Sequence, residues 1–165
     1  MRTTTCQCAL AAMLTIAATS AQADFSGLVI GVLDGDTVDV LVDQKPVRVR
    51  LAEIDAPEKK QAFGSRSRQA LSAIVFKHEV TVIDHGADWR GKRTIGSIRV
   101  DGLDVNRAMV AAGMAWVYPR YVKDRSLFVV QDQARHQQRG LWADATPIPP
   151  WQWRAEQRQK PVVAW

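Results

Sequence analysis

The chain has 165 residues, with 22 Lys plus Arg against 17 Asp plus Glu, a formal charge of +5 at pH 7. That length supports one domain with a sizeable core and is too short for two of common size. The positive balance favours a polyanionic partner, and the presence of two cysteines in all, Cys6 and Cys8, excludes a disulfide-stapled scaffold.

Residues 1–23 read as a secretory signal. Met1-Arg2 precede an apolar run from Ala9 to Ala18, and Thr19-Ser-Ala-Gln-Ala23 offers small residues where a signal peptidase cuts. The run is shorter than the roughly 20 apolar residues that a membrane anchor needs. The expectation is an exported protein, secreted or periplasmic, with no membrane attachment after cleavage. Both cysteines fall inside the signal, so the mature chain holds its fold without disulfides, and with Arg2 removed its charge is near +4.

Gly27 to Leu33 is a short β-branched apolar run that stops at Asp34-Gly35, and Thr37 to Val42 alternates polar with apolar residues. This predicts a β-hairpin. A turn at Asp43-Gln-Lys-Pro46 leads into a third strand, Val47 to Ile54, with Asp55 at its end. Apolar residues at helical spacing between Phe63 and Lys77 predict helix one. His78 to Asp84 and Arg93 to Val100 read as strands four and five. Val105, Ala108, Met109 and Ala112, followed by Gly113, predict helix two. Helix three starts near Asp124 or Ser126, either of which can cap it, and ends at Gly140. Strands come mostly first and helices later, which defines an α+β domain, and the simplest assembly is a five-stranded OB-type β-barrel with three helices packed around it. The domain is expected over residues 24–154, with 155–165 a flexible C-terminal tail. In the stretch Pro147 to Arg154, Trp151 or Trp153 is expected to anchor against the barrel, or alternatively to stack on bases.

Two stretches carry the chemistry, Leu33-Asp-Gly-Asp-Thr37 and Arg50-Leu-Ala-Glu-Ile-Asp-Ala-Pro-Glu58. Asp36 and Asp55 are hard oxygen ligands from neighbouring strands and suit Ca2+ or Mg2+, with water completing an open site. Asp34 is placed behind them, or simply in the hairpin turn. Arg50 leaves the strand that delivers Asp55, and its planar fork matches phosphate oxygens; its alternative is an ion pair with Glu53 or Asp55. Glu58 is long enough to orient or deprotonate a water, or else to bond nearby backbone amides. His78, His85 and His136 are scattered without ligand spacing, which excludes a zinc site.

With these residues in place, the chain resembles the thermonuclease-like family, the staphylococcal nuclease homologues. The resemblance runs from about Gly27 to Trp142 and rests on an ordered set: Asp34-Gly-Asp-Thr37, Arg50 to Glu58, Gln61-x-Phe-Gly64, Asp101-Gly-x-x-Val-Asn106, Gly113-Met-Ala-Trp116, Ala134-Arg and Gly140-Leu-Trp142. It implies a Ca2+-dependent nuclease that hydrolyses DNA and RNA, preferably single-stranded, with little sequence specificity, leaving 3'-phosphates and acting as a monomer. It further implies that Asp36, Asp55 and the carbonyl of Ala56 bind Ca2+, that Arg50 holds the phosphate and that Glu58 serves the attacking water. A second catalytic arginine is expected before the fifth strand. Aligned back from Thr94-Ile-Gly96 it is Arg93, but the segment Asp88-Trp-Arg-Gly-Lys-Arg93 is one residue longer than the family pattern and lacks its tyrosine, so Arg90 stays open. Tyr121, with Tyr118 beside it, falls where the family contacts substrate; Tyr118 has a packing role as its alternative. A runner-up is a catalytically weak or inactive OB module that binds nucleic acid, and a third reading is a secreted interaction domain.

Overall fold

The computed structural model describes residues 23–159. The expected signal peptide, apart from Ala23, lies outside the described residues, as do the last six positions. The strands are β1 (Phe25–Val32), β2 (Thr37–Val42), β3 (Lys45–Leu51), β4 (Ile54–Asp55), β5 (Glu79–Ala87), β6 (Thr94–Val100), β7 (Leu103–Asp104) and β8 (Trp116–Val117). The helices are α1 (Gly64–Val75), α2 (Val105–Ala111), α3 (Ser126–His136) and α4 (Pro150–Gln159).

Antiparallel pairs run in the order β3, β2, β1, β5, β6, and a parallel pair between β3 and β6 closes the five strands into a barrel. The inward positions are β-branched or Leu, as the alternation requires: Val29, Val38, Val40, Val49, Val82 and Ile98 are all fully buried. The hairpin between β2 and β3 turns on Asp43 and Gln44, both at positive φ (47° and 61°), so Lys45 and Pro46 already belong to the strand.

The third strand is not continuous to Ile54. It stops at Leu51, Glu53 takes φ 66°, and Ile54–Asp55 start again as β4, paired with β8 in a separate two-stranded sheet. This break turns Asp55 out of the barrel ladder. Asn106 secures α2 to the same corner: its buried amide donates to the Ala52 carbonyl (2.9 Å), and its oxygen accepts from the Ile98 amide (3.1 Å).

The helices number four among the described residues, one more than expected. The addition is α4, begun by Pro150 in the first turn, where its missing N–H costs nothing. Residues 155–159, expected as the start of a tail, continue this helix. At α3 the N-cap position falls on Arg125, between the two expected residues, and the Asp124 carboxylate accepts from the Ser126 amide (2.9 Å). Among the described residues no helix is long and apolar enough to cross a membrane.

Candidate active site

The turn between β1 and β2 is closed by the Leu33 amide on the Thr37 carbonyl (2.9 Å), and it lies directly against α1. A Cβ on Gly35 would come 1.9 Å from Ser67 Oγ and 2.7 Å from Ala56 Cβ. Glycine here lets the turn press onto the helix and sets Asp36 inward, where it is 2 % exposed. One Asp36 oxygen accepts from Thr37 Oγ1 (3.0 Å) and Arg50 Nη1 (2.9 Å), the other from the Ala56 amide (2.8 Å). Burial, aided by Asp34, pushes the Asp36 carboxyl up to about 6 even though Arg50 pulls the other way.

Thr37 pairs with Arg50 in the β2–β3 register, so Arg50 emerges beside Asp36. Its other branch donates to Asp55 Oδ1 at 2.6 Å, and Asp55 is fully buried. Burial opposes the charge of Arg50, but Asp36 and Asp55 on either side raise its affinity for the proton. Glu53 is not its partner: that carboxylate accepts from the Asp124 amide (2.8 Å) and the Lys123 amide instead, bracing the segment that carries the tyrosines.

Glu58 sits in the turn that precedes α1. The Gln61 amide donates to its carbonyl (2.8 Å), and a Cβ on Gly64 would come 1.9 Å from that same oxygen. The side chain stands at the rim, about one-third exposed. Here the structure brings in a residue that the sequence reading missed. Arg154 of α4 donates to Asp55 Oδ2 (2.7 Å) and Oδ1 (3.2 Å) and to Glu58 Oε1 (2.7 Å). A faint signal was present: Pro150 at a helix start, with Trp151 and Arg154 three residues apart and hence on one helix face.

The two candidates for the second arginine lie on one loop and have different partners. Asp88 closes its loop by accepting from the Lys92 amide (2.9 Å), the Arg90 amide (3.2 Å) and Arg93 Nε (2.9 Å). These donors hold the Asp88 carboxyl below its ordinary range. Ile95 lies opposite Arg50 across the parallel pair, and Arg93 stands just ahead of β6, two residues before Ile95. Arg90 is at the loop tip, its guanidinium 4.3 Å from the ring centroid of Trp89, which is 83 % exposed. Neither arginine bonds to Asp36 or Asp55.

Tyr118 is stacked on Trp151, with centroids 5.2 Å apart and planes 3° apart, and meets Tyr121 edge-on at 4.9 Å. Trp151 also packs edge-on against Trp116 at 5.8 Å. One face of Tyr118 is therefore covered by Trp151, while Tyr121 is 55 % exposed.

Asp36, Asp55 and Glu58 bond to two guanidiniums, Arg50 and Arg154, and Asp34, whose carboxylate accepts from the Asp36 amide, is near enough to act on Arg50 through space. The charge left uncompensated equals that of one divalent cation, and the donors are hard oxygens, so the residues fit such an ion. Among the described residues no three His, Cys, Asp or Glu side chains form a ready metal-holding group.

An OB-type barrel that carries clustered carboxylates and arginines outside its strand ends defines a class of phosphate-directed hydrolytic domain. The family described as staphylococcal nuclease homologue matches residues 48–144. An uncharacterized endonuclease of Escherichia coli O157:H7 is 50 % identical over 133 residues, 80 % of this chain and 86 % of its own. A micrococcal nuclease of Shigella flexneri is 44 % identical over 155 residues, covering 87 % and 88 %. A staphylococcal-like nuclease of Arabidopsis thaliana is 35 % identical over 114 residues, 69 % of this chain and 35 % of its own. The chain belongs to the staphylococcal nuclease homologue family and is an enzyme of the nuclease class. The matched span ends before α4, so Arg154 lies beyond it.

Proposed function

We propose that this nuclease is exported and cleaves DNA and RNA, preferably single-stranded, in a Ca2+-dependent reaction as a monomer. The observation that carries the reading is the joining of two buried carboxylates, Asp36 and Asp55, through the one guanidinium of Arg50, with Glu58 at the rim of the same cluster. A surface that merely bound nucleic acid would gain nothing from buried carboxylates, which repel phosphate.

Asp36, Asp55 and the Ala56 carbonyl would hold Ca2+, which when bound supplies charge against the phosphate oxygens and makes a nearby water more acidic. Arg50 takes the phosphate through its two-pronged fork and stabilises the negative charge that grows as phosphorus becomes five-coordinate. Glu58 accepts a proton from the attacking water or orients it. The water oxygen bonds to phosphorus as the P–O bond to the departing sugar breaks, and the departing oxygen takes up a proton from solvent. Arg93, just ahead of β6, adds positive charge to the site, and exposed Tyr121 contacts a base or phosphate. Export rests on the N-terminal signal pattern.

The test is digestion of denatured DNA and of RNA by the purified mature chain with Ca2+, with Mg2+ and with EDTA. Cleavage that depends on Ca2+ is expected. Salt-sensitive binding without cleavage under any metal would replace this reading with that of a binding module.

A further inference from the structure

Arg154 is unlike the other arginines of the site, because it arrives on a separate helix. Its guanidinium spans both oxygens of Asp55 and one oxygen of Glu58, at 3.2, 2.7 and 2.7 Å. Asp55 Oδ1 also takes Arg50, so both oxygens of this carboxylate are committed to positive charge. The helix is not loosely placed. Trp151, three residues earlier, stacks on Tyr118 and abuts Trp116, and Gln61 Nε2 donates to the Ile148 carbonyl at 2.6 Å just ahead of α4. Arg154 is thus a cation on a fixed tether, and its side chain is 30 % exposed, which leaves it room to swing away.

From this arrangement we propose that Arg154 is a built-in competitor of the divalent cation. It occupies the oxygens of Asp55 and Glu58 with a guanidinium that a metal must push aside, and so it sets how much metal the enzyme needs. A dication at Asp55 and the guanidinium 2.7 Å from the same carboxylate oxygen repel, and in a buried setting that repulsion is weakly screened. The inference rests on the reading of Asp36 and Asp55 as metal ligands, and it assigns to α4, outside the matched family span, a regulatory part in that site.

The test is direct calorimetric titration of the full mature chain with Ca2+ and no nucleic acid. R154Q is expected to bind Ca2+ tighter than the parent chain by on the order of tenfold, the scale of removing one close like charge. R154K, which keeps the charge and loses the fork, falls between the two. D55N serves as the control that abolishes binding. Equal or weaker binding by R154Q, with D55N still abolishing it, overturns the proposal and leaves the metal reading intact. R154K as tight as R154Q also overturns it, because helix loosening rather than charge would then be the cause. Binding by none of the variants overturns both.

Discussion

Arg50 and Glu58 stand at different depths, and their variants should differ accordingly. Glu58 is partly exposed at the rim, so Glu58→Gln should lower turnover on the order of a hundredfold or more with little loss of stability. Arg50→Ala should lower turnover as far, and it should also lower the melting temperature, because it strips the shared partner from two buried carboxylates. Kinetics and thermal melts on the same samples separate the two. Asp88 gives a pH prediction. Its carboxyl is held low by the amides and guanidinium of its own loop, so it contributes stability above the unfolded value of 3.8 that is lost as pH falls through the lower folded value. A carbon-13 NMR titration should find it below the ordinary aspartate range, and Asp88→Asn should remove that acid-side loss and weaken the hold on Arg93. At this scale Asp36, Arg50, Asp55 and Glu58 were legible, since short motifs placed them a few residues from predicted strand ends. Arg154 was not, because its contact with Asp55 spans 99 residues and the local helix signal at Pro150 does not say what it faces.

Among the elements, the turn between β1 and β2 owes its position to what is missing from Gly35. Gly35→Ala would force a methyl group onto Ser67 Oγ and Ala56, and overpacking of this kind costs about 1–3 kcal/mol. Urea unfolding should show that loss, and metal affinity should fall with it, because Asp36 rides on the same turn. Asn106→Ala removes a buried amide that joins α2 to the Ala52 carbonyl and the Ile98 amide, and leaves both unpaired. A destabilisation of about 1–3 kcal/mol is expected in the same unfolding measurement. The strands of the barrel were readable from their alternation. The break at Glu53 was not, since a residue at positive φ inside an apolar stretch leaves no periodic trace. α4 was obscured for a related reason: the prolines at and before its start point to a loop, so the expected anchoring tryptophan, Trp151 on Tyr118 and Trp116, was readable without the helix that carries it.

For the molecule as a whole, the excess of basic residues should appear as salt dependence. Binding of a single-stranded oligonucleotide to the Glu58→Gln variant should weaken steadily with added salt, with a log–log slope of about −2 for three neutralised phosphates. A flat response in fluorescence anisotropy would count against phosphate contacts by Arg50, Arg93 and Arg90 together. The parallel closure of β3 against β6 also has a temporal side. Asp36 and Arg50 are 14 residues apart and meet through a local hairpin, the β3–β6 pairing brings Arg93 alongside only when distant segments join, and Arg154 comes last, with the docking of α4. Synthesis from the N-terminus therefore completes the carboxylates long before the helix that covers them, and a chain cut short ahead of residue 149 would keep every acidic group of the site and lose its latest-arriving cation.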